Sequence, residues 1–149
     1  MAALIVLALP ICIADIKYHR IPNIYLILIF YVVALEQILT GVFSVKIFLL
    51  AASLLFVLQC IAGIGMGDVK LILLICATLN LSRAFQLGLL LLAICVSASL
   101  MVIIYFVVNA RIPRQIALAP AILMGVGLYL CAGSVDFLQE YAHALVNSW

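Results

Sequence analysis

The chain has 149 residues, of which 70% are hydrophobic and 8% are charged. A soluble domain carries about 25% charged residues, so this composition leaves too little polar surface for a water-facing globule and predicts that lipid is most of the solvent. The formal net charge of +2 is too small to indicate nucleic-acid binding, and the length predicts one domain, residues 1–149, without a separate soluble module.

Apolar runs that approach the length of a membrane span recur six times along the chain. The predicted helices cover residues 2–18, 24–40, 45–62, 68–80, 83–108 and 116–132, and residues 134–149 are of mixed composition. In the first helix the charged residues Asp15 and Lys17 follow the apolar run, which is the reverse of a cleaved secretory signal. The sequence therefore predicts an all-α polytopic membrane protein of about six transmembrane helices, with its N-terminus outside.

Cysteines and histidines give no indication of a metal or redox site. The five cysteines lie within or at the edge of apolar runs, no two are spaced as CxxC, and neither histidine stands at a metal-ligand spacing from them. They are expected to be small apolar packing residues. No metal and no cofactor is predicted.

Basic residues divide unequally between the two sides that this topology creates. Five of them fall on one side (Lys17, Arg20, Lys70, Arg111 and Arg114) and two on the other (Lys46 and Arg83). Because cytoplasmic loops are enriched in Lys and Arg, the larger group is expected in the cytoplasm. Asp15 and Asp68 are the only acidic residues on that side.

The apolar runs beside Asp15 and Asp68 are short. Fourteen residues precede Asp15, or about 21 Å of helix, and the 12 or so apolar residues between Asp68 and Asn80 span roughly 18 Å. Neither run alone crosses a hydrocarbon core of ~30 Å. Both carboxylates are therefore expected at or just inside the inner boundary of the hydrocarbon, where an acidic group is costly and indicates a functional site.

Two carboxylates held together in a poorly solvated site cannot both ionise easily, so the pair holds one proton near neutral pH. The charged carboxylate can then take a proton from water while the neutral one polarises a carbonyl, which is the chemistry of an aspartic protease. The glycines Gly63, Gly65 and Gly67 lack a Cβ and would let a substrate backbone approach closely.

Less specific interpretations exist for each of these residues. Asp68 opens a predicted helix, where aspartate is a favoured N-cap, whereas Asp15 near a helix C-terminus opposes the dipole. Lys17 and Lys70 each follow an aspartate by two residues, and positions i and i+2 do not share a helix face. These lysines are expected to reach lipid headgroups or a substrate.

The motifs resemble those of a known family. Gly65-Met66-Gly67-Asp68 matches the GxGD signature of intramembrane aspartyl proteases, and Asp68-Val69-Lys70 extends it to the form found in type IV prepilin peptidases (peptidase A24). Asp15-Ile16-Lys17 followed by Arg20-Ile21-Pro22-Asn23 resembles the first catalytic segment of that family. The resemblance covers essentially the whole chain as a six-helix peptidase core. It implies that Asp15 and Asp68 are the catalytic pair, and that Gly63, Gly65, Gly67, Lys17, Lys70, Arg20, Pro22 and Asn23 lie along the approach of the substrate.

The resemblance also implies a function. Such enzymes remove the short basic leader of prepilins or pseudopilins at the cytoplasmic face of the bacterial inner membrane, just before an apolar helix. Larger members carry an N-terminal insert with paired CxxC motifs, and many also methylate the new N-terminus. This chain has neither feature and resembles the short peptidases of tight-adherence (Flp) pilus systems, so no methyltransferase activity is expected. Of the Pro-Phe-Gly-Pro pattern of the family's last helix, Ala117-Leu118-Ala119-Pro120 retains only the final proline.

Three other interpretations stay open. An archaeal-type preflagellin peptidase has similar chemistry, although the segment from Asp15 to Asn23 favours the prepilin class. A small ion- or proton-coupled transport subunit would use Asp15 and Asp68 as ligands, but the outer halves of helices 1 and 4 are almost entirely apolar and offer no polar path. A non-catalytic assembly protein is the third.

Overall fold

A computed structural model of the chain describes residues 2–18, 21–40, 43–63, 65–81, 83–109 and 117–146. Within these residues the chain forms six α-helices and no strand. The helices are α1 (Ala2–Tyr18), α2 (Asn23–Thr40), α3 (Val45–Ala62), α4 (Met66–Leu79), α5 (Ala84–Asn109) and α6 (Leu118–Val146). The prediction of an all-α chain with about six helices is confirmed.

Most helix boundaries lie within two residues of the prediction, and the start of α4 and the end of α6 are the differences that change an interpretation. Helix α4 begins at Met66 rather than Asp68, and Gly65 is its N-cap, with φ −59° and ψ 138°. Asp68 is therefore the third residue of the helix, and its interpretation as an N-cap is wrong. Helix α6 continues to Val146, well beyond the predicted end at residue 132, because residues 134–146 contain neither Pro nor Gly to interrupt it.

The connection from α3 to α4 is short and depends on a left-handed residue. Gly63 ends α3 at φ 64°, and its N–H donates to the carbonyl of Gln59. Asn80 ends α4 in the same way at φ 46°. These are the positive φ angles of the described residues. Such a C-cap suits glycine and asparagine because larger side chains clash in this conformation.

Helix α4 lies at the centre of the bundle. It packs against α2, α3 and α6, while α1 packs against α2 and α6, and α5 packs mainly against α6. The interior is filled by side chains that are almost completely buried, among them Ile29, Leu55, Leu71, Ile75 and Ile122. If lipid surrounds the helices, close packing and dispersion hold them together, since lipid tails are as apolar as leucine.

Helices α5 and α6 approach each other most closely at a glycine. A Cβ added to Gly125 would lie 2.6 Å from the Cα of Ile94, so no larger residue fits without moving a backbone. One turn away, the buried hydroxyl oxygen of Ser97 lies 2.6 Å from the carbonyl oxygen of Ala121 and 2.8 Å from that of Ile94, so its one proton is shared between the two acceptors. This packing fixes the position of α6 and therefore of its N-terminus.

The outer surface of the described helices is largely apolar. Large side chains such as Ile38, Phe85 and Val108 are about three-quarters exposed, which is the kind of surface that lipid would cover. By length and composition one described helix, Ala84–Val108, can cross a membrane, and Asn23–Leu39, Val45–Ile61 and Leu118–Gly133 are shorter apolar helices. Of the six predicted spanning segments, one meets these criteria, and for the others the membrane span stays a prediction.

Candidate active site

Asp15 is held in place by the start of another helix. It lies one turn before the end of α1 and is only 5% exposed. Its Oδ2 accepts a 2.8 Å hydrogen bond from the backbone N–H of Ala119, the second residue of α6. The first N–H groups of a helix have no partner within the helix, and the positive end of the helix dipole suits a carboxylate. Asp15 thus satisfies a donor of α6 across the bundle.

Asp68 is half-buried in the first turn of α4, and its carboxylate folds back over the N-cap. A Cβ added to Gly65 would lie 2.9 Å from Oδ2 of Asp68, closer than real Cβ contacts allow. The backbone N–H of Asp68 donates to the carbonyl of Gly65 at 3.0 Å, which closes this tight turn. The first glycine of the GxGD motif therefore makes room for the carboxylate of the motif's own aspartate.

Both carboxylates line one cleft at the end of the bundle where α1 ends and α2, α4 and α6 begin. The cleft has a volume of about 330 Å³, within the ~300–1,000 Å³ range of small-molecule sites. Its lining residues are Asp15, Ile21, Asn23, Gly65, Met66, Gly67, Asp68 and Lys70. No group of three or more His, Cys, Asp or Glu side chains that could hold a metal ion occurs in the part of the chain that the structure describes.

Four of the other residues singled out by the sequence also line this cleft. Asn23 and Lys70 line the cleft and are exposed, and Gly65 and Gly67 form part of the cleft wall. A Cβ on Gly67 would meet the side chain of Ile21 at 3.4 Å, an ordinary contact. No neighbouring backbone of the described chain crowds these glycines, so the space beside them is the cleft itself.

The remaining residues singled out by the sequence are not brought to the cleft. Gly63 is the C-cap of α3, and Pro22 lies between two cleft residues without lining the cleft itself. The Nζ of Lys17 lies 5.3 Å from the centroid of the Tyr18 ring, a cation–π contact on the outside of the bundle. Arg20 lies outside the described residues.

Three contributors to the site were not singled out from the sequence. Met66 is the unspecified residue of the GxGD signature, Ile21 lies between Arg20 and Pro22 of the first motif, and both line the cleft. The third is the N–H of Ala119, which is a backbone group and has no side-chain signature. The only sequence signal for it was Pro120, which indicates the first turn of a helix.

Comparison with known proteins identifies one family. The family model of the type IV leader peptidases matches residues 2–107, a range that includes both aspartates and every residue lining their cleft. Helix α6, which donates to Asp15, lies beyond the matched range. No curated protein and no solved structure gave a significant match to the chain.

Proposed function

Since the chain belongs to the type IV leader peptidase family, we propose that it is a membrane-embedded aspartic endopeptidase that removes the leader of a prepilin or pseudopilin. Membership implies a protease in general. One observation carries the aspartic mechanism: Asp15 and Asp68 come from different helices, and both line one cleft. The family match also favours a peptidase over the transport subunit considered from the sequence.

In the proposed reaction a water molecule lies between the two carboxylates. One carboxylate is ionised and takes a proton from the water, while the other is protonated and donates a hydrogen bond to the scissile carbonyl. As the hydroxyl adds to the carbonyl carbon, the protonated carboxyl gives its proton to the carbonyl oxygen, which produces a tetrahedral diol. The C–N bond then breaks: the leaving nitrogen takes the proton that came from water, and one diol hydroxyl returns its proton to the other carboxylate as the new carbonyl forms. The dyad again holds one proton.

The two carboxylates are held differently. Asp15 cannot turn away without breaking its hydrogen bond to Ala119, whereas Asp68 packs over Gly65 at the open side of the cleft. We therefore expect Asp15 to be the fixed member of the pair and Asp68 to adjust when substrate binds. Catalytic geometries often tighten only in the substrate complex.

The cut is proposed to take place at the cytoplasmic face of a bacterial inner membrane. Support comes from the distribution of Lys and Arg, which assigns the side carrying Asp15 and Asp68 to the cytoplasm. Residues 1–149 are proposed to act as one membrane-embedded peptidase domain.

No methylation of the new N-terminus is expected, and mass spectrometry of the mature product tests this point: a methylated product made by this protein alone would contradict it.

Co-expression with an epitope-tagged prepilin tests the function. Wild type should remove the leader, and Asp15→Asn and Asp68→Asn should each abolish removal while the protein still inserts into the membrane. Glu36→Gln is the matched carboxylate-to-amide control, because Glu36 lies on α2 away from the cleft, and it should process normally. Normal processing by either aspartate variant would refute the dyad.

A further inference from the structure

An apolar groove leads away from the aspartate cleft along α2 and α4. It consists of two hollows of about 420 Å³ and 360 Å³ that share the lining residues Phe30, Phe48, Leu73 and Leu74. The first hollow also shares Asn23 and Lys70 with the aspartate cleft. Because of these shared residues, the cleft adjoins the first hollow and the first hollow adjoins the second. We refer to the two hollows together as the α2–α4 groove.

Helix packing explains why the groove exists. Helices α2 and α3 each pack on α4 but make little contact with each other, so a channel is left between them with α4 as its floor. The floor residues Lys70, Leu73, Leu74 and Ala77 follow the i, i+3, i+4, i+7 spacing of one helix face. The α2 wall extends from Asn23 to Ile38, a distance of about 22 Å along the helix.

The opposite wall of the groove is thin. It consists of Phe43 and Phe48, whose ring centroids are 5.4 Å apart. On the α2 side, Ile27 and Phe30 line the groove and are still more than half exposed. The groove is thus open along its side, and an occupant can enter laterally from the surrounding phase.

The lining restricts what can occupy the groove. Apart from Asn23 and Lys70 at one end and Gln37 at the other, its side chains are apolar. A peptide in such surroundings has to satisfy its own backbone hydrogen bonds, which only a helix does within one segment. An apolar helix that fits between two helices and over the face of a third is a recurring mode of peptide recognition.

We propose that the α2–α4 groove binds the apolar helical segment of the substrate that adjoins the scissile bond. This proposal rests on the proposed function, because the helix in the groove and the peptide cut in the cleft are two parts of one substrate chain. Continuity with the cleft favours a substrate helix over a lipid tail. Asn23 and Lys70 lie where the substrate helix would end and the extended peptide at Asp68 would begin. The first N–H groups of the substrate helix lack partners within the helix, and they would meet the Asn23 side chain and the carboxylates.

Photo-crosslinking tests the location of the bound helix. The probe is a synthetic peptide with a short basic leader followed by about 20 apolar residues, the length of a membrane span. p-Benzoylphenylalanine is introduced at Ile27 or at Leu28 in the full-length Asp68→Asn protein, which retains uncut peptide. The two positions are adjacent and about half exposed, but only Ile27 lines the groove. We expect at least about tenfold more peptide adduct at Ile27 than at Leu28.

A groove-filling substitution tests its use in catalysis. Ala34→Trp adds volume at a wall residue, and Leu35→Trp adds the same ring at an exposed neighbour outside the groove. For the apolar peptide we expect Ala34→Trp to raise KM about tenfold with little change in kcat, since uniform binding is lost. A second peptide with the same leader and a polar segment should be cut equally by both variants.

The outcomes separate the inference from the proposed function. If wild type cuts the apolar peptide but Ile27 labels it no better than Leu28, or labels only lipid, the groove proposal is wrong and the peptidase assignment stands. If wild type fails to cut although Ile27 captures the peptide, the peptidase assignment is wrong and the groove is a peptide-binding surface. Unchanged KM in a folded Ala34→Trp protein would also overturn the groove proposal.

Discussion

The backbone N–H of Ala119 donates a 2.8 Å hydrogen bond to Oδ2 of Asp15 and so connects α1 to the start of α6. The next residue in α6 is Pro120, which has no N–H, so Ala119 is one of few donors available at this helix end. Asp15 therefore has a structural role beside its proposed catalytic one. The two roles can be separated by substitution.

Asparagine and alanine at position 15 should differ in stability but not in activity. Asn retains an oxygen that accepts the Ala119 N–H, whereas Ala leaves that N–H without a partner in the interior. We expect Asp15→Asn to be about as stable as wild type and Asp15→Ala to lose about 1–2 kcal/mol, the usual cost of a lost N-cap. Thermal unfolding in detergent, followed by circular dichroism at 222 nm, measures the difference.

Asp68 provides the control for this comparison. Its carboxylate packs half-buried over the N-cap of its own helix, so Asp68→Asn and Asp68→Ala should unfold within about 0.5 kcal/mol of each other. All four variants should be inactive. Equal stabilities of Asp15→Asn and Asp15→Ala would contradict the structural role of Asp15.

Gly65→Ala should reduce catalysis more than stability. The backbone angles at Gly65 suit any residue, but the new Cβ would lie 2.9 Å from Oδ2 of Asp68 and displace the carboxylate. A displacement of 1 Å can cost about a hundredfold in rate, so we expect a loss in kcat of that order with unfolding changed by less than about 1 kcal/mol. Single-turnover cleavage of the apolar peptide measures it.

Gly67→Ala is the matched substitution two residues along the same motif. Its Cβ would contact Ile21 at 3.4 Å, and alanine favours the helix by up to about 1 kcal/mol over glycine. This variant should lose less activity than Gly65→Ala. If Gly67→Ala were as inactive as Gly65→Ala, displacement of Asp68 would not explain the need for glycine.

Gly125→Ala should destabilise the protein and disturb the site from a distance. Its Cβ would lie 2.6 Å from the Cα of Ile94, so α5 and α6 must separate, and overpacking of this kind costs about 1–3 kcal/mol. Moving α6 also moves the donor at Ala119. Gly127→Ala is the control, since nothing lies within 4 Å of its added Cβ. Thermal unfolding of the pair would contradict the prediction if both behaved alike.

Gln37→Leu should be tolerated although it removes a hydrogen bond. The Gln37 amide donates to the carbonyl of Ala77 at 2.9 Å, but its Oε1 is buried without a partner in the described part of the chain. Losing a hydrogen bond costs about 1 kcal/mol, and removing an unpaired buried acceptor returns about 1–3 kcal/mol. Gln37→Leu should thus unfold at or above the wild-type temperature, and Gln37→Glu, which buries a charge, well below it. A less stable Gln37→Leu would show that Oε1 has a partner.

Much of the helical fold could be predicted from apolar run length, because runs separated by Gly, Pro or Asn leave few alternatives. The predicted start of α4 at Asp68 is two residues late because Gly65 is an N-cap without a capping side chain, and Asp68 is the first residue after it whose side chain is of the capping type. The end of α6 was misjudged because mixed polarity after Gly133 was taken as an end, although residues 134–146 contain no helix breaker.

The site was predictable where side chains carry the chemistry and not where the backbone does. Asp15 and Asp68 could be paired because two crossings return the chain to the same side, and both line one cleft. Lys17 could not be distinguished from Lys70 by sequence, since both follow an aspartate by two residues. The groove could not be predicted from the sequence either. It exists because α2 and α3 make little contact with each other, and this depends on how the helices assemble.

Helix α4 carries both Asp68 and the floor of the groove, from Lys70 to Ala77, on one unbroken element. The nine residue steps from Asp68 to Ala77 correspond to about 13 Å along a rod that does not change length. If the groove holds the hydrophobic segment of the substrate as proposed, the depth of that segment determines which peptide bond reaches Asp68. Shifting the onset of hydrophobicity in a substrate by one helical turn would then move the cut by three or four residues, whatever side chains flank the bond.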